Sequence, residues 1–345
     1  MTALSLDAAD RLLLNRIQED FPLQPRPYAA LATALGASEA EILARLAGLR
    51  RSRVVRQISA IFDTRALGYH STLVALQLPP GQLEAGAAIV SAHPGVSHNY
   101  ARRHEYNLWF TLAVPPWLDV AEAALALGRQ AGAEVTRVLP TLRLFKIGVR
   151  LDVAGTRTPQ AQEAAAVYAG ADVERGRATP LLARDVAFIR QLQQDLAPEP
   201  RPFDRYAAAL GCGLEELFAW CGQMAACGKL RRFAAVLRHQ NAGFVSNAMG
   251  VWKVPAERVE EVGARMASFA AVSHCYERPV YPDFPYNLYT MVHGRSRAEC
   301  LATLDAIAEC TAVAERQYLW SSREFKKERV LYFLEEQLPP ALAQA

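Results

Sequence analysis

Two stretches of the chain combine histidine, tyrosine and arginine in the same order, a combination that suits proton transfer on an anionic substrate. Residues 97–111 read SHNYARRHEYNLWFT, and residues 273–290 read SHCYERPVYPDFPYNLYT. Both contain Ser-His-x-Tyr-x-Arg, and both later reach Tyr-Asn-Leu followed by an aromatic residue. Histidine exchanges protons near neutral pH, and arginine binds carboxylates through paired hydrogen bonds. We therefore interpret the two stretches as walls of an aromatic-lined pocket with a polar rim.

The two stretches belong to an internal repeat. Residues 10–36 align with residues 185–211 without a gap at an offset of 175, and both copies contain a Pro-Arg-Pro triplet. The offset is 176 at His98 and His274 and increases again beyond an insertion at 280–285. A fixed offset over this length indicates a duplicated module. The two copies differ most at the predicted pocket.

The first part of each module has the pattern of short helices followed by a strand. In the first module an apolar stripe at helical spacing covers residues 6–20, and two prolines end it. Gly36 ends a second helix, and Ser38 is placed to cap a third at 39–49. The apolar, β-branched segment 54–61 predicts a wing strand. Three helices and a wing predict a winged helix-turn-helix.

The second part of each module alternates between strands and helices. In the first module the predicted elements cover 71–78, 81–92, 96–102, 106–114, 117–132 and 134–146. This βαββαβ order, repeated over 245–326, is typical of a ferredoxin-like unit. We therefore predict an α+β chain, a tandem repeat of a winged helix-turn-helix plus a ferredoxin-like unit. We place the winged helix-turn-helix domains at 1–62 and 179–238, the ferredoxin-like domains at 63–150 and 239–335, and a linker at 151–178.

The composition indicates a packed globular protein. The chain has 345 residues, of which 51% are hydrophobic and 21% are charged, and its net charge of +3 is too small to indicate nucleic-acid binding by itself. No basic region followed by an apolar core opens the chain, and no apolar run approaches the roughly 20 residues that span a bilayer. We therefore expect no membrane association and a cytoplasmic location. The six cysteines form no Cys-x-x-Cys pair, so we expect free thiols and no protein-bound metal.

The order of domains resembles that of the Lrp/AsnC group of bacterial transcription regulators. The candidate DNA-reading helices, 39–49 and 214–223, begin with glutamates and apolar or small residues, whereas base readout needs polar or basic side chains. Four arginines between positions 50 and 56 could contact phosphate, but we favour the interpretation that they belong to a solvated helix end and wing. We therefore do not expect nucleic acid as a partner.

The pocket stretches resemble those of the siroheme decarboxylases, which are Lrp/AsnC-like proteins. The resemblance extends over residues 5–335 and includes RHQNAGF at 238–244, NAMGVW at 247–252 and LPTLRLFKIG at 139–148. These enzymes usually consist of two related subunits, so the resemblance implies that both are fused here. It also implies the reaction, which is non-oxidative removal of the carboxyl groups of the C12 and C18 acetates of siroheme in d1-type or alternative heme biosynthesis. The product would be 12,18-didecarboxysiroheme.

A flat macrocycle fringed with carboxylates needs an apolar slot and cations around its rim. The residues that we expect to line the slot are Trp252, Tyr276, Tyr286 and Asn287, with Phe244, Met249, Phe284 and Tyr289. The cations that we expect to bind carboxylates are Arg231, Arg232, Arg238, Lys253, Arg278, Lys326, Arg102 and Arg103. The candidate proton donors are His239, His274, His98 and His104. We predict no separate cofactor and no protein metal site, because the iron belongs to the substrate.

The histidines are not equivalent in the repeat. His239 has Thr64 as its repeat partner, an asymmetry that favours a functional role. His98 and His104 would serve either a second pocket or a vestigial one, and we expect one productive site, mainly in the second module. Two other functions stay open: a DNA-binding regulator with the same architecture, and a non-catalytic tetrapyrrole carrier or sensor. We expect an internal pseudo-dimer of the two modules and leave further association of chains open.

Overall fold

The structure of the chain, a computed structural model, describes residues 6–147, 179–237 and 246–334. The predicted linker at 151–178 lies outside these ranges. Of the helices within them, none is long and apolar enough to cross a membrane. All six cysteines are free thiols.

Each module begins with three helices whose ends are set by capping residues. Ser38 accepts a hydrogen bond from the main-chain N–H of Glu41 at 3.2 Å, as the predicted cap requires. Gly36 and Gly211 end the second helix of each module with φ values of 66° and 63°, a left-handed conformation that favours glycine. The helices are α1 (Ala8–Glu19), α2 (Pro27–Leu35) and α3 (Glu39–Arg51) in the first module, and α6 (Ala183–Leu192), α7 (Phe203–Leu210) and α8 (Leu214–Ala226) in the second.

The wing strands of the two modules pair with each other. Strand β1 (Val55–Phe62) runs antiparallel to β7 (Leu230–Leu237), which together form a two-stranded sheet. The pairing merges the apolar residues of both helical units into one core, in which Phe21 packs on Phe233 with ring centroids 5.9 Å apart. The winged helix-turn-helix units are therefore joined through their wings.

The remaining elements form two ferredoxin-like units. Each has the antiparallel strand order 4-1-3-2 that βαββαβ units adopt, with two helices on one face. The first contains β2 (His70–Gln77), α4 (Leu83–Ala92), β3 (Val96–Arg102), β4 (Leu108–Val114), α5 (Val120–Gln130), β5 (Val135–Pro140) and β6 (Arg143–Ile147). The second contains β8 (Ser246–Trp252), α9 (Val259–Ser268), β9 (Val272–Glu277), β10 (Leu288–Gly294), α10 (Arg297–Thr311) and β11 (Arg316–Lys327).

The two units share one nine-stranded sheet that closes on itself. Its order is β5-β2-β4-β3-β11-β8-β10-β9-β6. The first part of β11 pairs with β8 of its own module, and the second part pairs with β3 of the other module. Likewise, β5 pairs with β2 of its own module, and β6 pairs with β9 of the other module. Because only residues 141 and 142 separate β5 from β6, the two ends of the sheet meet.

The strand exchange places an aromatic side chain of each module in the core of the other. Phe145 on β6 packs against the helix–sheet core of the second module, and Phe325 on β11 packs against that of the first. The fit at Phe145 depends on Gly263 in α9, because a Cβ atom there would lie 2.4 Å from the ring. The two ferredoxin-like units are therefore interlocked.

Candidate functional site

The first histidine of each pocket stretch, His98 or His274, points away from the helices. On β3, Asn99 donates from Nδ2 to a carbonyl of α4 at 3.1 Å, and on β9 the Cys275 thiol lies 3.6 Å from a carbonyl of α9. Neighbouring side chains of a strand point to opposite faces. His98 and His274 therefore face the space enclosed between the two units.

His274 is held by its neighbours on β9. Its Nδ1 lies 2.8 Å from the hydroxyl of Ser273, and its ring stacks on Tyr276 with centroids 5.9 Å apart and planes at 26°. The serine contact leaves Nε2 as the nitrogen available to a ligand. In the first module His98 has the same arrangement, with Ser97 at 2.9 Å and Tyr100 stacked at 6.2 Å.

The surroundings of His274 keep its ring neutral. Burial, together with the positive charges of Arg231, Arg278, Lys327 and Lys146, lowers the pKa of His274 to about 4. These cations come from β7, the end of β9, β11 and β6. An imidazole in this position is unprotonated at neutral pH until negative charge is brought to it.

This depressed pKa predicts a loss of stability in mild acid. Between about pH 6.5 and pH 4 the unfolded chain binds a proton at residue 274 that the folded chain does not, so the free energy of unfolding falls as the pH falls. The share of His274 is at most about 3 kcal/mol, at about 1.4 kcal/mol per pKa unit. Urea unfolding at pH 7 and pH 5 checks this. A His274→Gln variant should lose less stability than the wild type between these pH values, whereas His70→Gln, which changes an exposed side chain, should not differ from it.

Two arginines at the ends of the histidine-bearing strands are buried, and neither has an acidic partner among the residues that the structure describes. Arg102 and Arg278 are 5% and 7% exposed, and each donates from Nη1 to a carbonyl of the other module, that of Leu319 or Leu139. Burial lowers the pKa of both, to about 10 for Arg102. Among the described residues, the Nε atoms of both lack a hydrogen-bond partner. Each guanidinium group therefore links the two modules through Nη1, and its Nε has no partner among the described residues.

The wing side of the site carries further cations that sequence reasoning did not assign. Burial lowers the pKa of Lys327 to about 8, and that of Arg329 to about 10. Arg329 donates to the hydroxyl of Ser59 at 3.0 Å, and the charge of Arg65 reaches Tyr276 and Arg278. The run of basic residues beginning at position 326 was the available signal for two of them.

Of the predicted cations on the wing, Arg231 donates to the carbonyl of Ile147 at 3.4 Å, and its charge acts on His274. The charge of Arg232 acts on Arg329. Three predicted residues, Arg238, His239 and Phe244, lie outside the described ranges.

The two modules differ in charge beside their histidines. In the first module Tyr100 is paired in register with Glu324 of β11, whose carboxylate contributes to a raised pKa of the phenol. In the second module the corresponding pair is Tyr276 and Leu144. The carboxylate of Glu324 beside Tyr100 disfavours an anionic ligand at that position, whereas Lys327 is paired in register with His98. The second module has Leu144 in place of the carboxylate.

Two residues predicted to line the slot are engaged elsewhere. Trp252 is fully buried in the helix-facing core, where its indole N–H donates to Thr290 at 2.9 Å. The amide of Asn287 binds both main-chain groups of Val254, accepting from N–H at 2.9 Å and donating to the carbonyl at 2.8 Å. Asn107 binds Leu78 in the same way. The repeated Tyr-Asn-Leu motif therefore holds a strand start in place.

Three predicted cations also lie away from His274. Lys253 is exposed and forms an ion pair with Glu315 at 2.7 Å. Lys326 donates to the carbonyl of Ser91 at 2.8 Å and so caps the end of α4. Arg103 is exposed in the turn after β3. The structure thus assigns Lys326 a capping contact.

His104 belongs to a separate cluster at the other end of β3. Its Nδ1 accepts from the N–H of Tyr106 at 3.0 Å, and its ring meets that of Phe284 edge-on at 5.7 Å. Phe284 comes from the second-module insertion and also contacts Tyr286 at 5.0 Å. Asp283 accepts from Arg137 at 2.7 Å and from the hydroxyl of Tyr106. The insertion therefore joins the modules at this end of β3, and the ring of its Phe284 also lies 6.4 Å from that of Tyr289 on β10.

Three arginines in or after α3 bind other groups of the chain. Arg50 forms two hydrogen bonds to the carboxylate of Asp195 in the other module, at 2.6 and 2.9 Å. Arg45 binds Asp7 at 2.7 Å, and Arg56 donates to the carbonyl of Lys327. These three arginines therefore make contacts within the chain.

Comparisons with known proteins match the whole chain. A family model described as an AsnC-like ligand binding domain matches residues 66–146 and 241–326, and one described as a siroheme decarboxylase NirDL-like HTH domain matches residues 10–56. The siroheme decarboxylase of Hydrogenobacter thermophilus is 40% identical over 325 residues, covering 94% of this chain and 95% of that protein. These matches confirm the predicted α+β fold of winged helix-turn-helix and Lrp/AsnC-like units.

Further matches relate the repeat to separate subunits. The crystal structure of the siroheme decarboxylase NirDL in co-complex with an iron-uroporphyrin III analogue is 34% identical, with a TM-score of 0.70 and 95% coverage of both chains. The siroheme decarboxylase alpha subunit of Nitratidesulfovibrio vulgaris is 44% identical over 144 residues, covering 42% of this chain and 81% of that protein. One module of this chain thus corresponds to most of one subunit there.

Proposed function

The chain belongs to the siroheme decarboxylase family, and from this membership we propose that it converts siroheme to 12,18-didecarboxysiroheme by removing the carboxyl groups of the C12 and C18 acetates. It is a carboxy-lyase with two fused modules. The observation that carries the proposed site is the neutral His274 among four cations, of which Arg278 is buried. A substrate fringed with carboxylates supplies the negative charge that such surroundings favour.

Each proposed step breaks one carbon–carbon bond and forms one carbon–hydrogen bond. The bond between the acetate CH2 and its carboxylate breaks, carbon dioxide leaves, and the electron pair stays on the CH2 carbon, where the conjugated macrocycle delocalises it. A proton then completes the methyl group, so no oxidant is consumed. The iron belongs to the substrate, and the proposal includes no separate cofactor.

His274 is the proposed proton donor. Substrate carboxylates that bind Arg278 and Arg231 offset the charges that lower the pKa of His274, so binding raises this pKa and loads the ring with a proton. Nε2 then faces the reacting carbon, while Ser273 orients the ring through Nδ1. Binding and proton uptake are coupled in this scheme.

The productive site is proposed to lie in the second module. Both modules have the histidine, its serine and its tyrosine, but Glu324 places a carboxylate beside Tyr100 of the first. One chain therefore supplies a complete site, in which Arg231 and Arg65 of the two helical units contribute charge to β9. We also propose a cytoplasmic location and no nucleic-acid partner.

Anaerobic incubation of the purified chain with siroheme, followed by mass analysis of the tetrapyrrole, tests the function. The expected product has lost two carbon dioxide units. Siroheme that is bound but unchanged would instead indicate a carrier. Absence of binding would contradict the proposal and favour a DNA-binding regulator, which a footprinting experiment would then have to show.

A further inference from the structure

Tyr289 on β10 has a buried hydroxyl group for which the described part of the chain offers no hydrogen-bond partner. The side chain is 2% exposed, and within the described ranges its oxygen has no hydrogen-bond partner. A buried polar group without a partner is costly, so it usually has a functional reason. The repeat counterpart of Tyr289 is Trp109, whose indole N–H donates to the carbonyl of Tyr106 at 2.6 Å. The unused donor is thus confined to the second module.

The ring of Tyr289 lies beside a side chain with a second unused donor, Arg278. The guanidinium carbon of Arg278 is 5.6 Å from the centre of the Tyr289 ring and 4.7 Å from that of Tyr276. The Nη1 of Arg278 is occupied by the Leu139 carbonyl, whereas its Nε has no partner in the described part of the chain. A neutral O–H donor and a cationic N–H donor on two neighbouring side chains suit one carboxylate.

We propose that Tyr289 and Arg278 form a subsite that holds one carboxylate of the substrate, an inference that rests on the proposed function. Residues 274, 276 and 278 follow one another along the same face of the chain. The His274 ring lies 5.9 Å from the Tyr276 ring, and the guanidinium carbon of Arg278 lies 4.7 Å from the Tyr276 ring. The Tyr276 ring therefore separates this subsite from His274, and the carboxylate held here is not the one that His274 serves. It anchors the macrocycle, and Tyr289 is a positioning residue that determines which acetate reaches His274.

The first module lacks this subsite. Its counterparts are Arg102, which has the same unused Nε, and Trp109, whose donor is already occupied. The macrocycle can therefore be anchored in this way only beside His274. The subsite therefore adds to the difference between the modules. It attracts a substrate carboxylate in the second module, whereas Glu324 beside Tyr100 disfavours one in the first.

A Tyr289→Phe variant tests the proposal because it removes only the hydroxyl. We expect the Kd for siroheme, from anaerobic absorption titration of the full chain, to rise about tenfold, as for the loss of one hydrogen bond to a charged group. The melting temperature of the ligand-free variant should be unchanged or higher, because an unpaired buried hydroxyl is removed. Partly decarboxylated product taken at early times should contain the two monodecarboxylated isomers in a changed ratio.

The matched control is Tyr206→Phe in α7. Its hydroxyl donates to the carbonyl of Gln194 at 2.9 Å, so the variant should lose stability and keep the wild-type Kd. An unchanged Kd for Tyr289→Phe, or a loss of stability as large as that of the control, would overturn the subsite. Normal decarboxylation by Tyr289→Phe with an unchanged Kd would reject the subsite alone. Failure of the wild type to decarboxylate bound siroheme would reject the proposed function. The comparison of the Kd of Tyr289→Phe with that of the wild type would still test the subsite.

Discussion

His274→Ala should bind siroheme within about threefold of the wild-type Kd and decarboxylate it about 10²–10⁴-fold more slowly, the usual contribution of a general acid. The ring contacts Ser273 and Tyr276, and no carboxylate anchor depends on it. Absorption titration and single-turnover decarboxylation, both anaerobic, measure the two quantities separately. A carrier would show no turnover in either protein.

The pseudo-symmetric variant His98→Ala is the control for this experiment. His98 has the same serine and tyrosine contacts. Its strand β3, however, pairs with β11, where Glu324 lies opposite Tyr100. Loss of His98 should change the rate by less than about threefold. Full activity of His274→Ala would assign the proton to another group, and equal losses in both variants would contradict a single productive site.

Phe145→Ala should lower the free energy of unfolding by about 2–4 kcal/mol, in the range of large-to-small substitutions at partly to fully buried positions. The ring belongs to the first module but fills the space above Gly263 in the second. Because the modules are interlocked, we expect a single urea transition at a lower midpoint rather than separate loss of one module. Phe325→Ala should behave in the same way.

Leu142→Ala is the matched control for the aromatic variants. Leu142 lies in the connection between β5 and β6, three residues before Phe145, but is 61% exposed. Its truncation should therefore change the free energy of unfolding by less than about 0.5 kcal/mol. Two separate transitions in Phe145→Ala, with one unchanged from the wild type, would show that the modules unfold independently and would contradict the interlocked sheet.

The local elements could be predicted from the sequence because their signals are local. Ser38 and Gly36 set helix ends through their own side chain or backbone, and the repeat offset identified two copies of one module. The pairing of β1 with β7 could not be predicted in this way, since a strand pattern does not name its partner. The break between β5 and β6 was missed for a related reason: residues 134–146 have one continuous strand-like pattern, and the change of partner depends on the other module.

The candidate site was predictable in outline but less so in its members. His274, Tyr276 and Arg278 were found because all three belong to one motif on one strand face. Trp252 was assigned to the slot because composition does not reveal which face of β8 meets the helices. Arg65 was missed because it is distant in sequence from β9, and its charge reaches the site only once the fold forms.

The wing pairing also determines when the chain can finish folding. Strand β1 ends at residue 62, but its partner begins at residue 230, so their contact closes a very long loop. At a synthesis rate of about 5–20 residues per second, β1 waits on the order of ten seconds or more for β7 to be made. During that interval its backbone donors and acceptors form an open strand edge, the type of surface that pairs wrongly with other chains. Chains translated close together on one messenger would expose such edges simultaneously, so the yield of folded protein should depend on translation rate and on chaperones that shield unpaired strands.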